Sequence, residues 1–246
     1  MLDTTGWPYV DGQRGRIGLI TPAPGSSTEW EFNRYKPEGV AVLTTRVPLF
    51  GISYEGISKM NTYVDQAAEM LARSSIVDII LFSCTAGSFL EGQGFDQKVI
   101  AHLEELTGVK VTTTSTCIME AIKALGIKSL NVVTPYAEEI NKRERAFLEG
   151  CGLKVINVTG ALLEQSQNTP KIPAEVMRQF ALEADTPDAD AMFISCTGLH
   201  VDTIIDSLEQ ELGKPVLTSN QCGLWGSLRA IGVKDFIPGL GRLFRL

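Results

Sequence analysis

Two of the five cysteines share a motif that suits chemistry at a thiol. Cys84 and Cys196 each lie in the middle of a Ser-Cys-Thr sequence that directly follows an apolar run. A thiol can act as nucleophile, base or acid once its surroundings tune its pKa. A single cysteine at a strand end is usually a small packed hydrophobe, so the functional interpretation depends on the pair. Cys117, Cys151 and Cys222 have no matched counterpart and are interpreted as structural.

The rest of the sequence offers little for metal or cofactor chemistry. There is no C-x-x-C pair, and His102 and His200 have no partner at ligand spacing, so we expect no structural zinc site. There is neither a Walker A motif nor a G-x-G-x-x-G motif after a strand. The sequence therefore predicts chemistry without metal or cofactor. His200 is the histidine that could join a thiol site, although a surface residue at a helix start is the more ordinary interpretation.

Three segments recur in the same order in the two halves of the chain. The matching pairs are 17–22 with 130–135, 78–85 with 190–197, and 112–126 with 218–232. The residue numbers differ by 113, 112 and 106 in the three pairs. The second pair carries the two Ser-Cys-Thr motifs. Such a repeat is typical of a duplicated structural unit.

Apolar runs that end in turn residues alternate with longer amphipathic segments. The predicted strands are 16–21, 39–47, 77–82, 110–113, 129–134, 154–158, 189–194 and 215–218. The predicted helices include 58–73, 96–106, 137–151, 174–184 and 201–212. Strands rich in Val, Ile and Leu that alternate with helices indicate parallel sheets covered on both faces. We therefore predict an α/β fold of two pseudo-symmetric lobes, each a parallel sheet flanked by helices, as a duplicated flavodoxin-like unit.

The repeat also predicts where the lobes divide and where the site lies. We expect residues 1–115 with 222–246 to form the first lobe and 116–221 to form the second. Parallel α/β sheets bind ligands at the carboxyl ends of their strands. Both cysteine motifs lie at such ends, as do the Thr-Pro pairs at Pro22 and Pro135. We therefore predict an active site between the lobes, with one thiol on each side of a small ligand.

Composition and charge exclude several classes of protein. The chain has 246 residues and 22 Lys+Arg against 29 Asp+Glu, a net charge of −7. No basic run offers the footprint that nucleic acid needs. No apolar stretch approaches the ~20 residues of a membrane span, and the first residues lack the apolar core of a secretory signal. Because an odd number of free thiols favours a reducing compartment, we expect a cytoplasmic protein that binds neither nucleic acid nor membrane. Its sequence is compatible with a homo-oligomer.

The chain resembles the aspartate/glutamate racemase superfamily, and within it the branch of maleate cis–trans isomerases and arylmalonate decarboxylases. The segments that carry the similarity are the Ile20-Thr-Pro-Ala-Pro-Gly-Ser-Ser opening, both cysteine motifs, Val133-Thr-Pro-Tyr136 and the closing Pro238-Gly-Leu-Gly-Arg242. The similarity runs over nearly the whole chain. It implies two similar lobes around a cofactor-free site, with paired cysteines at Cys84 and Cys196.

Several positions distinguish the members of this branch. The decarboxylases have glycine in place of the first cysteine, so Cys84 makes the chain more similar to the isomerases and racemases. Other stretches, such as 195–199, are closer to the decarboxylases. Maleate isomerases usually carry Asn where this chain has Ser27, and their later substrate-holding Asn corresponds best to Asn168 across a short gap. Amino-acid racemases have His directly after the second Cys-Thr, where this chain has Gly198.

The residue types at the predicted strand ends suit reactions at the carbon next to a carboxylate. A thiol pKa of ~8.5 falls by about one unit or more at a helix N-terminus, which favours thiolate. Free backbone N–H groups and hydroxyls there accept a carboxylate or a developing enediolate. Ser26 and Glu29 match a capping box, which predicts a helix start beside Ser27. Together with the resemblance, these positions give the candidate substrate-binding residues Pro22, Ser27, Thr85, Ala86, Tyr136, Asn168, Thr197 and Gly198.

Three functions follow from these observations. The first is a cofactor-independent isomerase or racemase of a small carboxylate or dicarboxylate, with Cys84 as nucleophile or base and Cys196 as the opposing acid or base. The second is an arylmalonate-type decarboxylase in which Cys196 alone protonates the enediolate. The third is a non-catalytic two-lobed protein that binds a small molecule, because two α/β lobes around a cleft serve binding equally well.

Overall fold

The fold consists of two sets of four strands, each interleaved with helices. The computed structural model describes residues 3, 6–7, 9–74, 76–163 and 165–246. The strands are β1 (Gly15–Pro22), β2 (Val40–Val47), β3 (Ile79–Phe82), β4 (Lys110–Thr113), β5 (Ser129–Tyr136), β6 (Lys154–Leu163), β7 (Ala191–Ile194) and β8 (Val216–Thr218). The α-helices are α1 (Ser27–Tyr35), α2 (Tyr54–Asn61), α3 (Val64–Ser74), α4 (Thr85–Phe89), α5 (Phe95–Thr107), α6 (Thr114–Ala124), α7 (Glu138–Gly150), α8 (Ala174–Ala184), α9 (Ile205–Leu212) and α10 (Ser219–Ala230).

Each set of strands forms one four-stranded parallel sheet. The strand orders are β2-β1-β3-β4 and β6-β5-β7-β8, so the two sheets have the same connectivity. Ile17 pairs with Ile79 in the first sheet, and the repeat-equivalent Leu130 pairs with Ala191 in the second. The four central strands are buried along their whole length, which explains their apolar sequences. The prediction of two α/β lobes with parallel sheets is confirmed.

The duplication extends to the side chains that start each sheet. Asp78 accepts a hydrogen bond from the backbone N–H of Arg16 at 2.7 Å, and its repeat equivalent, Asp190, accepts one from Ser129 at 2.9 Å. Backbone hydrogen bonds from Lys128 and Ser129 lower the pKa of Asp190. Asp78 thus links the start of β1 to the loop before β3, and Asp190 links the start of β5 to the loop before β7.

All eight predicted strands are present, but one predicted helix is wrong as a single element. The segment 58–73 is divided between α2 and α3, because the first helix ends at Asn61 and the second begins at Val64. Thr62 Oγ1 donates to Lys59 O at 2.7 Å at the end of α2. Asn61 Nδ2 donates to Gly87 O at 3.1 Å, so the break between the helices contacts the short helix α4, which follows the first cysteine motif. The spacing of apolar residues in the sequence cannot predict this tertiary contact.

In the described part of the chain, no helix is both long enough and apolar enough to cross a membrane.

The predicted capping box at the start of α1 is also wrong. Ser26 is the N-cap residue, but its side chain makes no capping hydrogen bond. Glu29, which would close the box, pairs instead with Arg46 of β2. Arg46 also donates to Gly25 O at 2.8 Å. The start of α1 is therefore held by the neighbouring strand.

The helices that follow the two sheets pack against each other. α6 follows the first sheet, α10 follows the second, and the two are in extensive contact. A Cβ atom at Gly226 of α10 would lie 2.5 Å from Cys117 Sγ of α6 and 2.9 Å from Cys117 Cβ. This close approach therefore requires glycine.

The C-terminal segment contacts elements of both halves. Asp235 pairs with Arg14, with an NH1–Oδ2 distance of 2.8 Å, whereas the N–H of Gly241 donates to Asp206 of α9 at 2.9 Å. The division of the chain into 1–115 with 222–246 and 116–221 stays a prediction. The first sheet lies within the first of these parts and the second sheet within the other.

Candidate active site

The first cysteine motif lies at the carboxyl end of β3, at the start of a short helix. Cys84 is the N-cap residue of α4, and its Sγ accepts the backbone N–H of Gly87 at 3.3 Å. A Cβ atom at Gly87 would lie 2.9 Å from Met60 Cε, so glycine allows this helix to pack closely on α2. The first-turn N–H groups of Thr85 and Ala86 have no acceptor within the helix. They are available to an anion beside the thiol.

The second cysteine motif follows β7 but enters a tight turn rather than a helix. Cys196 has a φ of 141°, a conformation that glycine tolerates and other residues rarely adopt. Its Sγ accepts the N–H of Gly198 at 3.3 Å, and its own N–H donates to Ser219 Oγ at 3.0 Å. These two hydrogen bonds hold the strained Cys196 in place, as is common at functional sites.

The predicted helix 201–212 begins as a 3-10 turn, Asp202–Ile204, before α9.

Both thiols line one cavity between the carboxyl ends of the two sheets. It contains about 50 Å³ of water-accessible space, room for a few ordered waters or a small ligand. The first half of the chain contributes an apolar wall that includes Leu49, Ile52 and Ile57. In the described part of the chain, no Lys, Arg, His, Asp or Glu lines this cavity. Any charge on a ligand would therefore meet neutral donors and thiols.

Five of the eight predicted substrate-binding residues line the cavity beside the thiols. They are Pro22, Ala86, Tyr136, Thr197 and Gly198. Tyr136 is buried, and the interaction of its hydroxyl with the Cys196 sulfur lowers the pKa of that thiol. Burial raises the pKa of Tyr136 well above its usual range, so the phenol is neutral and remains a donor.

The other three predicted residues, Ser27, Thr85 and Asn168, do not line the cavity. Ser27 is fully buried and its Oγ donates to Thr197 O at 2.7 Å. The hydroxyl of Thr85 donates to Ser219 Oγ at 2.9 Å. Asn168 donates to the side chain of Gln165 and accepts from Lys171, both of them local neighbours. Partners within the protein therefore already engage the polar side-chain atoms of these three residues.

Thr169 lines the cavity although the sequence pattern does not single it out. Its side chain is 3% exposed, and its Oγ1 has no hydrogen-bond partner. A buried hydroxyl without a partner costs roughly 1–3 kcal/mol. A ligand that accepts this hydrogen bond is correspondingly favoured. The signal for this residue is its position next to Asn168, which the family resemblance selects.

Two polar residues at the start of α10 also escape prediction from the sequence. Ser219 Oγ accepts hydrogen bonds from the N–H of Cys196 and the hydroxyl of Thr85, so it joins the two cysteine motifs. Asn220 Nδ2 donates to Thr197 O at 3.3 Å. Both residues directly follow β8 in the third repeated segment, and this position at a strand end is the signal that could have found them.

Burial dominates the acidity of the two thiols. It raises the pKa of Cys84 to about 12 and that of Cys196 to about 11. The N–H groups of Gly87 and Gly198 act in the opposite direction, as does the Tyr136 hydroxyl on Cys196. The expected lowering of the thiol pKa at a helix N-terminus is therefore wrong. Both groups are neutral thiols at neutral pH, and a Cys196 thiolate raises the pKa of Cys84 further.

Neither histidine lines the cavity. The ring of His200 packs edge-on against Trp30 with ring centroids 6.0 Å apart, and His102 pairs with Asp65 on the surface at 2.9 Å. In the described part of the chain, no group of three or more His, Cys, Asp or Glu side chains is arranged to hold a metal ion. The reactive side chains at the cavity are the two thiols.

The fold and the site define a class of two-lobed α/β proteins in which each lobe supplies one cysteine to a shared cavity. A family model for arylmalonate decarboxylase matches residues 17–244, and the chain belongs to the arylmalonate decarboxylase family. The arylmalonate decarboxylase of Bordetella bronchiseptica is 29% identical over 234 residues, covering 93% of this chain and 95% of that protein. The maleate isomerase of Nocardia farcinica is 26% identical over 240 residues, covering 94% and 95%.

A solved structure extends the similarity to three dimensions. A liganded arylmalonate decarboxylase with a Gly-to-Cys and a Cys-to-Ser substitution matches with a TM-score of 0.87 at 26% identity, covering 93% of this chain and 98% of that chain. The predicted branch of the superfamily is confirmed, as is the prediction of an enzyme of the isomerase and decarboxylase group.

Proposed function

We propose that the chain is a cofactor-independent isomerase or racemase that acts on a small carboxylate through two opposed thiols. The observation that carries this proposal is the placement of Cys84 and Cys196, at repeat-equivalent strand ends, in one cavity between the two sheets. A maleate isomerase and an arylmalonate decarboxylase among the relatives support an enzyme over a non-catalytic binding protein.

Two thiols in one cavity suit a reaction that needs a base and an acid on opposite faces of a carbon. Because a negative charge on one sulfur opposes a second charge on the other, the reactive form has one thiolate facing one thiol. Both reactions start from the form in which the Cys84 proton has passed to Cys196, so that Cys84 is the thiolate and Cys196 the thiol. In racemisation, Cys84 takes the α-proton and Cys196 returns a proton from the other face. In cis–trans isomerisation, the sulfur of Cys84 bonds to one alkene carbon and the Cys196 proton goes to the other. The resulting single bond rotates, and elimination reverses both steps.

The carboxylate would be held by neutral hydrogen-bond donors. The N–H groups of Thr85 and Ala86 lie at the start of α4, and the hydroxyls of Tyr136 and Thr169 belong to residues on the cavity wall. Preorganised donors of this kind stabilise negative charge as it develops on an enediolate. They are also consistent with the absence of Lys and Arg from the lining formed by the described residues.

The decarboxylase alternative is favoured by two specific observations. The apolar wall of Leu49, Ile52 and Ile57 suits a substrate with an apolar substituent, and the matching family model is that of arylmalonate decarboxylase. In this alternative, Cys196 alone protonates the enediolate that remains when carbon dioxide leaves. Cys84 then has no chemical role, which is why we place this function second.

Proton NMR in deuterated water distinguishes the two functions. The enzyme is incubated separately with maleate, aspartate, glutamate, hydantoins and aryl-malonates. Fumarate formation, or deuterium at an α-carbon without loss of carboxylate, supports the isomerase or racemase. Loss of a carboxylate with carbon dioxide release supports the decarboxylase. Tight binding without turnover, unaffected by thiol alkylation, would instead support a non-catalytic protein that binds a small molecule.

We also propose that the protein acts in the cytoplasm. Its five cysteines are free, which is typical of a reducing compartment. Cell fractionation tests this location. Sedimentation velocity tests whether the chain forms a homo-oligomer.

A further inference from the structure

A buried carboxyl group lies directly behind the second cysteine motif. Glu144 of α7 is 1% exposed, and its Oε1 accepts a hydrogen bond from the hydroxyl of Ser195, the residue before Cys196. Its other oxygen, Oε2, is buried without a hydrogen-bond partner. A buried carboxylate with one free oxygen is costly when ionised. The mechanism above assigns this group no role.

The repeat places a second buried carboxyl at the equivalent position. The offset of 113 residues between Thr21 and Thr134 also separates Glu31 from Glu144. Glu31 is 3% exposed and accepts a hydrogen bond from Asn220 Nδ2 at 3.0 Å.

Both carboxyl groups are linked to the second motif rather than one to each motif. Glu144 reaches it through Ser195. Glu31 reaches it through Asn220, which also donates to Thr197 O at 3.3 Å. The two halves therefore differ here, because both buried carboxyl groups are connected to the motif that contains Cys196.

Few other titratable groups face Glu144 and Cys196. β5 contributes Tyr136, and the first cysteine motif contributes Cys84. On α7 itself, Arg143 donates to Leu90 O and Arg145 to Val155 O and Glu149, so both are engaged elsewhere. On the 3-10 turn Ser166–Lys171, the ammonium group of Lys171 donates to Asn168. Among the described residues, Glu144 is therefore the acidic residue with the most direct link to Cys196.

We propose that Glu144 is a positioning residue that acts through Ser195, holding the second cysteine motif in place and keeping Cys196 in its thiol form once the carboxyl ionises. This inference rests on the proposed function only for the use of that thiol in turnover. The hydrogen bond to Ser195 supplies the positioning, and a negative charge behind the motif opposes a second negative charge on the sulfur.

The acidity of the groups supports this charge effect. Burial raises the pKa of Glu144 to about 8, and the hydrogen bond from Ser195 opposes that rise. The Glu144 charge in turn raises the pKa of Cys196. The carboxyl is therefore neutral below about pH 8, where it leaves the thiol unaffected, and ionised above it, where it disfavours the thiolate.

The test is the alkylation rate of each cysteine as a function of pH in the ligand-free enzyme. Iodoacetamide is the probe, and peptide mass spectrometry reports Cys196 separately, with half-buried Cys151 as internal reference. Glu144→Gln retains the acceptor for Ser195 but cannot ionise. We expect equal Cys196 rates below pH 8. Above pH 8, Cys196 should be alkylated more slowly in the original enzyme than in Glu144→Gln. The ratio of the two rates reaches about tenfold if the pKa of Cys196 differs by one unit between them.

Two further variants separate charge from positioning. Glu144→Leu also removes the acceptor of Ser195, so its Cys196 rate should differ from that of the original enzyme even at pH 7. Glu120→Gln removes a carboxyl from the exposed face of α6 and should follow the original profile throughout. Parallel profiles for the original enzyme and Glu144→Gln over the whole pH range would overturn the proposal. Because no substrate is used, that result is independent of whether the proposed function is correct.

Discussion

At the scale of single residues, the partners of buried polar atoms decide which side chains can act on a ligand. Ser27 and Thr85 carry hydroxyls that chemistry at a carboxylate would favour, but both are occupied by partners in the protein. The hydroxyl of Thr169 has no such partner. The sequence predicts the residue types at the strand ends, whereas the direction of each hydroxyl depends on tertiary contacts. For the same reason it predicts both thiols but not their raised pKa, which is caused by burial.

The unpartnered hydroxyl gives a prediction about substrate binding. Thr169→Val keeps the shape of the side chain but cannot donate to a carboxylate. Since a hydrogen bond to a charged group contributes about 1.5–3 kcal/mol, we expect KM to rise by roughly tenfold or more with a smaller change in kcat. Steady-state kinetics on the substrate found by NMR measures both. Thr169→Ser should restore most of the affinity, and an unchanged KM in Thr169→Val would exclude a contact with substrate.

The strained backbone at Cys196 gives a prediction about stability. Removing the side chain as Cys196→Gly also removes the strain at a φ of 141°, whereas Cys196→Ala keeps it. We expect the Gly variant to be more stable than the Ala variant by about 1 kcal/mol. Urea unfolding measures the difference.

The first motif supplies the matched control. Cys84 has an extended backbone with a φ of −149°, so Cys84→Gly should be less stable than Cys84→Ala by about 0.5–1 kcal/mol. The same order of stability at both positions would show that the turn at Cys196 stores no strain.

At the scale of elements, apolar runs and turn residues suffice to predict all eight strands. The helices depend more on distant contacts. The predicted helix 58–73 is interrupted after Asn61, whose side chain reaches Gly87 in α4. The helix α1 lacks its predicted capping box, and Glu29 pairs instead with Arg46. Local pattern carries no information about partners that lie far away in the sequence, so these details could not be predicted.

The contact between α6 and α10 gives a prediction at this scale. A Cβ atom at Gly226 would meet Cys117 at 2.5 Å, and the contact includes backbone at 3.4 Å. Gly226→Ala should therefore destabilise the protein by roughly 1–3 kcal/mol, measured by urea unfolding. Gly223→Ala in the same helix is the control, because its new methyl would meet the flexible end of Leu81 at 3.2 Å. Equal stability of the two variants would mean that the helices separate easily.

At the scale of the whole molecule, duplication explains why one cavity has two thiols. Two sheets with the same strand order place Cys84 and Cys196 at equivalent ends, and the lobes bring those ends together. The internal repeat makes this arrangement predictable from the sequence. Departures from symmetry, such as the link of Glu31 to the second motif through Asn220, follow from packing between the halves and could not be predicted.

The central claim is that both thiols take part in turnover. Its most direct test is the rate of solvent deuterium incorporation or isomerisation in Cys84→Ala and Cys196→Ala, on the substrate identified by NMR, with circular dichroism to confirm the fold. The paired mechanism predicts that each single variant loses turnover by at least about a thousandfold while it remains folded. Full activity in either variant would contradict it, and retained carbon dioxide release in Cys84→Ala would assign the chain to the decarboxylases.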